Sequence, residues 1–182
     1  MNFFWREEPA TEQESKLLAL LFKAHEESSF RNNVSSVVLQ QVAGGSGSYT
    51  NGVAAAILSL GGVHAPLEDI HEVLTDGEVP AGIVPGWGNS FIKGVPDSAW
   101  AEVDAQIAAM APNLALRISS ITDALHARGK LVFPNPGCYT AAVAIILGIP
   151  KQIAAYLFIS ARLSPWTYLA MNQLVPQLQL QT

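Results

Sequence analysis

Four histidines are the side chains of this sequence best suited to acid–base or ligand chemistry, because imidazole titrates near neutral pH. They are His25, His64, His71 and His126. No two of them stand at the i, i+3 or i, i+4 spacing that places two metal ligands on one helix face. The single cysteine, Cys138, adds one thiol and no partner. The sequence therefore predicts no metal site.

His25 and His64 differ from the other two histidines in where they stand. His25 precedes the small polar run "EESS", and His64 follows closely on Gly61-Gly62 at the start of a helical pattern. Further along the chain come a glycine-rich loop with "PGWGN" and a turn with "PNPG". These four connecting segments between predicted helices could together line a ligand pocket. His71 and His126 are interpreted as a residue on a polar helix face and a residue near a helix end.

Apolar residues recur at helical spacing through most of the chain, which predicts an all-α fold. Thr11 is a candidate N-cap, with Glu14 as its capping-box partner. A loop is expected at 78 to 96, where prolines and glycines are dense, and "KLVFP" is the one candidate strand. The predicted helices lie in "TEQESKLLALLFKAHEESS", "NNVSSVVLQQVAG" (ended by Gly44-Gly45), "SYTNGVAAAILSLG", "PLEDIHEVLTDG", "DSAWAEVDAQIAAMAP", "LALRISSITDALHARGK", "CYTAAVAIILG" and "IPKQIAAYLFISARLSP".

Composition restricts the partners. Of the 182 residues, 49% are hydrophobic and 14% charged, against a usual charged share of about 25%. So few charges suggest that a second copy covers part of the surface, and the small residues of "NGVAAAILSLG" suit close helix packing. We therefore expect a homodimer, and light scattering that detects only monomer at micromolar concentration would contradict this. The net charge of −5 argues against nucleic acid as a partner.

Cellular location is predicted from three features. A lone cysteine fits a reducing compartment, and the N-terminal sequence turns acidic too early for a signal peptide. The most apolar stretch, "AAVAIILGIPKQIAAYLFISA", is broken by Gly148 to Lys151 and is interpreted as two buried helices. These features predict a cytoplasmic protein without a membrane partner.

Three blocks of the sequence, in this order, resemble the citrate synthase superfamily, and the last is closest to its short citryl-CoA lyase-type members. The resemblance covers roughly residues 17 to 172. The blocks are "KAHEESSFRNNVSSVVLQQVAGGSGSYTNGVAAAILSLGGVHAPLEDI", "IVPGWGNSFIKGVPD" and "FPNPGCYTAAVAIILGIPKQIAAYLFISARL", similar to the family's histidine-bearing helix end with its "GPLHGGA" turn, its "IPGFGHPIHK-DPR" loop and its "PNVDG…LG-P…LF-IARL" segment.

The resemblance implies a reaction and a set of site residues. The family makes or breaks a carbon–carbon bond between an acyl-CoA and a 2-oxo acid such as oxaloacetate. His64 matches the histidine that stabilises the enolate, and Asn89 stands at a second catalytic histidine position. His25 and Arg162 match substrate-binding positions. Lys93 matches a basic position associated with the CoA phosphates.

Several positions depart from the family pattern. Asn89 replaces a histidine, Asp97 replaces a substrate-binding arginine, and Gly137 replaces the aspartate that serves as general base. Pro66 replaces a glycine and removes a backbone donor. Loss of a positioned base alone typically costs about 10²–10⁴-fold in rate. The sequence therefore predicts a catalytically impaired member.

We expect one citrate synthase-like domain, with a large lobe at 1–64 and 149–182 and a small lobe at 65–148. The leading functional prediction is an impaired citrate synthase or citryl-CoA lyase-like protein that binds a CoA thioester or a di- or tricarboxylate. Two alternatives stay open. One is an active citryl-CoA lyase-type enzyme, a lyase or acyl transferase with Glu68 or Asp69 as its base. The other is a structural or interaction protein on the same scaffold.

Overall fold

The structure is a computed structural model that describes residues 2–3, 8–29, 34–60, 65–75 and 78–179. His64 and the glycines before it lie outside the described residues. Regular structure in the described ranges is helical, apart from the short antiparallel pair β1 (Asn2–Phe3) and β2 (Glu8–Pro9). The predicted all-α class is confirmed.

The helices follow the predicted order. Thr11 and Glu14 form the expected capping box: the Thr11 N–H donates to Glu14 Oε2 at 2.8 Å, and the Glu14 N–H donates to Thr11 Oγ1 at 3.2 Å. Short 3-10 turns cover Ser98–Trp100 and Lys151–Ile153. The helix bounds are α1 Glu12–Ser29, α2 Val34–Ser46, α3 Tyr49–Leu58, α4 Leu67–Thr75, α5 Ala101–Met110, α6 Pro112–Ala127, α7 Pro136–Ile146 and α8 Ala155–Gln179.

Two helix ends were predicted wrongly. Helix α2 continues through Gly44-Gly45 and ends at Ser46, because the left-handed residue that stops it is Gly47, at φ +63°. Helix α8 continues through Pro165 to Gln179. Trp166, which follows this proline, is buried among residues of α2 and α3, so packing favours the helix where local propensity opposes it.

Two hydrophobic cores hold the helices together. The larger core contains residues of α1, of the four helices α4, α5, α6 and α7, and of the first turns of α8. Its members include Leu17, Ile70, Trp100, Ile121 and Phe158. The smaller core lies between α2, α3 and α8 and contains Leu39, Ala43, Ala56, Trp166 and Ala170. Helix α1, in the predicted large lobe, shares a core with α5 and α7 of the predicted small lobe. The division into two lobes stays a prediction. None of the described helices has the length and apolar character that a bilayer crossing requires.

Two of the small residues of α3 pack against another helix of the same chain. Gly52 and Ala56 are buried on the side that meets α2. A Cβ at Gly52 would lie 2.8 Å from Ala43 Cβ and 3.0 Å from the Leu39 carbonyl oxygen. Close packing of α3 therefore takes place against α2, and the homodimer stays a prediction.

Gly52→Ala should lower the free energy of unfolding by about 1–3 kcal/mol, because the added methyl overpacks the α2–α3 contact. The matched control is Gly45→Ala, a helical glycine whose added Cβ would meet no atom within 4 Å. The control should leave stability unchanged or raise it by about 0.5–1 kcal/mol. Urea unfolding measures both, and equal effects of the two changes would contradict the prediction.

Candidate functional site

The predicted loop at 78 to 96 is fastened to the turn before α7. An isolated antiparallel bridge joins Trp87 to Pro134. The candidate strand at "KLVFP" forms no more than this bridge. The Gly88 N–H donates to the Phe133 carbonyl at 2.9 Å, and the Asn135 N–H donates to the Gly86 carbonyl at 2.9 Å. Gly86 and Gly88 have φ of +90° and +92°, which a residue with a side chain would adopt only under strain.

A cleft of about 400 Å³ lies beside this loop. The beginning of α4, the loop, the first turn of α7 and α8 all contribute to its lining. Asp69, Trp87, Asn89, Gly137 and Arg162 are among the lining residues. The cleft thus combines a broad apolar surface with a few polar groups, as small-molecule sites do.

The structure brings some of the predicted site residues together and separates others. Arg162 and Asn89 line the cleft. Lys93 and Asp97 line a second cavity of about 200 Å³ that shares Asn89 with the cleft. His64 lies outside the described residues, so its predicted place at the cleft stays a prediction.

His25 lies against Arg162 and is fully buried. The Thr140 hydroxyl donates its proton to the Pro136 carbonyl at 2.8 Å, so it must accept a hydrogen bond from His25 Nε2, also at 2.8 Å. The other ring nitrogen, Nδ1, is then unprotonated and accepts from Arg162 Nε at 3.2 Å. Both ring nitrogens are engaged within the chain, and His25 contacts Arg162 and Phe158, which line the cleft.

The surroundings of His25 keep the ring neutral. Trp100 and Phe158 meet it edge to face, with ring centres 5.0 and 4.8 Å away. Burial and then the charge of Arg162 hold the pKa of His25 well below its usual range. A proton on Nδ1 would face the Nε–H of Arg162. The neutral ring is therefore a fixed acceptor that orients the guanidinium group.

Arg162 is a nearly buried cation beside the cleft, 4% exposed. Its Cζ lies 4.7 Å from the centre of the Phe158 ring. Burial lowers the pKa of Arg162 to about 10, which leaves the group charged at neutral pH. Within the described part of the chain, no carboxylate forms an ion pair with it.

Asn89 and Asp97, which the resemblance places at catalytic or binding positions, stabilise local backbone here. The Asn89 side-chain oxygen accepts from the backbone N–H groups of Phe91, at 2.9 Å, and Ile92, at 3.4 Å. Asp97 Oδ1 accepts from the Ala99 N–H at 3.2 Å and caps the 3-10 turn. Both side chains shape the loop and its exit.

At residue 137, where the resemblance places the general base, a neighbouring side chain takes up the space that a side chain would need. Gly137 is buried in the first turn of α7. A Cβ there would lie 2.9 Å from Ile70 Cδ1 and 3.1 Å from Asn135 Oδ1. The same isoleucine would be 3.0 Å from a Cβ at Gly86. Ile70 therefore occupies the space between two glycines, where an aspartate at 137 would have to enter.

Asn135 is a positioning residue that the sequence reasoning missed. Its Oδ1 caps α7 by accepting from the N–H groups of Gly137, at 2.9 Å, and Cys138, at 3.3 Å. Its Nδ2 donates to the Gly88 carbonyl at 3.0 Å. An asparagine directly before a proline is a known signal for a helix start and could have revealed the cap. The bond to Gly88 joins residues 47 apart and has no local signal.

Asn135→Asp should separate the two roles of this side chain, because a carboxylate keeps the cap and loses the donor to Gly88. We expect faster hydrogen exchange in the loop and a small loss of stability. Asn135→Ala should also lose the cap and cost about 1–2 kcal/mol more. Ser48→Ala, which removes the cap of α3, is the control and should leave exchange in the loop unchanged. Equal loop exchange in Asn135→Asp and the parent would contradict the assignment.

Comparison with solved structures identifies the fold. The structure of citryl-CoA lyase from Hydrogenobacter thermophilus superposes with a TM-score of 0.75, over 93% of this chain and 72% of that chain. The chain has the fold of citryl-CoA lyase. This confirms the fold that the resemblance implies. The identity of 20% establishes the fold and no more. No protein-family model and no curated protein matches the sequence.

Proposed function

We propose that this chain binds a carboxylate-bearing ligand in the cleft and has lost the carbon–carbon chemistry associated with its fold. The observation that carries the proposal is Arg162, a nearly buried cation that lines the cleft and pairs with no described carboxylate. An unpaired buried charge is costly, and a ligand carboxylate would supply the missing partner.

The contacts around Arg162 suit this role. His25 takes the Nε–H, and the guanidinium carbon lies over the Phe158 ring. The two terminal nitrogens remain for a carboxylate, which they can bind in a bidentate manner. His25 and Phe158 would hold this geometry before the ligand arrives, so little side-chain entropy would be lost on binding.

The loss of chemistry is supported by the position where the base was expected. Gly137 has no titratable side chain, and Ile70 fills the adjacent space. Asn89 holds the loop backbone through its side-chain oxygen. With neither base nor histidine at these positions, a bound thioester would not be deprotonated at the rate of an ordinary enzyme.

The sequence predicts a CoA thioester or a di- or tricarboxylate as the ligand. Lys93 is exposed and lines the cavity next to the cleft, which supports the proposal that it meets phosphate groups of a long ligand. We retain this role as part of the proposal. The homodimer and the cytoplasmic location likewise stay predictions.

One observation favours a second candidate, an active lyase-type enzyme with another base. Both residues are exposed, but Asp69 lines the cleft and Glu68 does not. Asp69 is therefore the better of the two bases proposed from the sequence. If the protein cleaves citryl-CoA and Asp69→Asn abolishes that cleavage, the second candidate replaces the first.

Calorimetric titration of carboxylates tests the proposal. Citrate, oxaloacetate and a series of simple monocarboxylates are titrated into the protein, and at least one should bind. Arg162→Gln should weaken that binding tenfold or more. Arg128→Gln is the matched control, since it removes the same charge from an exposed arginine that lines neither cavity. Circular dichroism checks the fold of each variant.

Two outcomes would contradict the proposal. The first is that none of these carboxylates binds. The second is that Arg128→Gln weakens binding as much as Arg162→Gln, because the effect would then come from overall charge and not from the cleft. Arg162→Lys serves as a further variant if Arg162→Gln unfolds. It keeps the charge and loses the Nε contact with His25, so an intermediate affinity is expected.

A further inference from the structure

We infer that the ligand of the cleft is a monocarboxylate with an apolar tail, in preference to a di- or tricarboxylate. The inference rests on the proposed carboxylate site at Arg162 and specifies its ligand class. It follows from the charges on the cleft lining and from the apolar side chains at its mouth.

The charges on the lining match a single carboxylate. Among the described lining residues, Arg162 and Asp69 are the charged ones, so the formal charges cancel. One ligand carboxylate would pair with Arg162. Each further carboxylate would find no second cation among the described lining residues and would be repelled by Asp69. A tricarboxylate therefore brings two more negative charges than the described lining can pair.

The mouth of the cleft is unusually apolar. Three large hydrophobic residues on its lining are strongly exposed: Ile83 at 83%, Phe91 at 57% and Val34 at 51%. Ile83 and Phe91 belong to the loop, and Val34 begins α2. Exposed apolar side chains grouped around a cavity are characteristic of a ligand-binding surface.

Apolar residues also continue into the cleft, towards the cation. Trp87 and Phe158 line it and are buried, and Phe158 contacts Arg162 directly. A ligand whose carboxylate meets Arg162 can therefore lay a hydrocarbon tail along these rings towards the mouth. The volume of about 400 Å³ is within the ~300–1,000 Å³ of small-molecule sites.

A homologous series of ligands tests this. Butanoate, hexanoate and octanoate are titrated by calorimetry beside citrate, glutarate and the neutral analogue octanamide. Affinity should rise about fourfold for each methylene that becomes buried. Octanoate should bind at least tenfold more tightly than citrate or glutarate. Octanamide, which lacks the charge, should bind at least tenfold more weakly than octanoate.

Variants at the mouth locate the tail. Ile83→Ser and Phe91→Ser should each weaken octanoate binding several-fold and change butanoate binding little, because the short acid does not reach the mouth. Both side chains are exposed, so the fold should persist. Leu116→Ser is the matched control, since Leu116 is 65% exposed on α6 and lines neither cavity. It should leave all affinities unchanged.

The outcomes distinguish this inference from the proposed function. If citrate or glutarate binds more tightly than octanoate and needs Arg162, the monocarboxylate inference is wrong and the carboxylate site stands. If no carboxylate binds, both are wrong. If Leu116→Ser weakens octanoate binding as much as Ile83→Ser, the acid associates nonspecifically with apolar surface, and the inference is overturned.

Discussion

Replacement of His25 by alanine should lower the free energy of unfolding by about 3–5 kcal/mol, a large part of the stability of a domain of this size. The change would remove a fully buried ring from between Trp100 and Phe158 and leave a cavity. It would also take the partner from the Nε–H of Arg162, next to a charge that is almost entirely buried. Both losses act in the same direction.

Urea unfolding with a two-state fit measures this effect. His126→Ala is the control, because His126 is half-buried and its Nε2 lies 2.9 Å from the Val132 carbonyl oxygen. It should cost clearly less than His25→Ala. A cost below about 1 kcal/mol for His25→Ala would mean that the buried network does not hold Arg162 as described.

The same residue should make stability depend on pH. The pKa of His25 in the folded state lies well below the usual value of 6.5, so at intermediate pH the unfolded state binds more protons than the folded state. Its contribution is therefore complete above pH 6.5 and declines by about 1.4 kcal/mol per unit as the pH falls from 6.5 towards the folded-state pKa. His25→Gln should flatten the dependence in this window, and an unchanged slope would contradict the buried neutral ring.

Gly137→Ala should cost about 1–3 kcal/mol of stability, because the methyl would meet Ile70 Cδ1 at 2.9 Å. Gly137→Asp should cost more, since a carboxylate would also approach Asn135 Oδ1, an acceptor like itself. Ile70→Val removes the methyl that clashes and by itself should cost about 0.5–1.5 kcal/mol. Combined with Gly137→Ala, Ile70→Val should cost much less or become stabilising.

A double-mutant cycle measures this coupling, and we expect about 1 kcal/mol or more. Gly82→Ala is the control, since no atom lies within 4 Å of an added Cβ there. Its effect should add to that of Ile70→Val. Additive behaviour of Gly137→Ala and Ile70→Val would show that Ile70 does not fill the space beside Gly137. Gly137→Asp, which would supply the carboxylate that the resemblance expects there, should by itself give no activity.

The parts of the fold that could be predicted from the sequence depend on neighbouring residues. The capping box of Thr11 and Glu14 forms across three residues, and the loop at 78 to 96 follows from its own glycines and prolines. The same local reasoning failed at Gly44-Gly45 and at Pro165. Burial of Trp166 and its neighbours, which no local pattern reveals, decides the course of α8.

The candidate site could be predicted only in part for the same reason. The sequence pointed to Arg162 and Asn89, which line one cleft. It did not show that His25 lies against Arg162 with both nitrogens engaged, or that Ile70 fills the space beside Gly137. His25 and Arg162 are separated by 137 positions in the sequence, and Ile70 and Gly137 by 67. Each contact depends on the packing of whole helices.

The central claim is that the cleft holds a carboxylate ligand but no longer makes or breaks a carbon–carbon bond. The most direct test incubates the unmodified protein with citryl-CoA and follows the mixture by mass spectrometry. We predict that citryl-CoA disappears no faster than it does without the protein. Formation of acetyl-CoA and oxaloacetate on the order of 1 s⁻¹ or faster would contradict the claim.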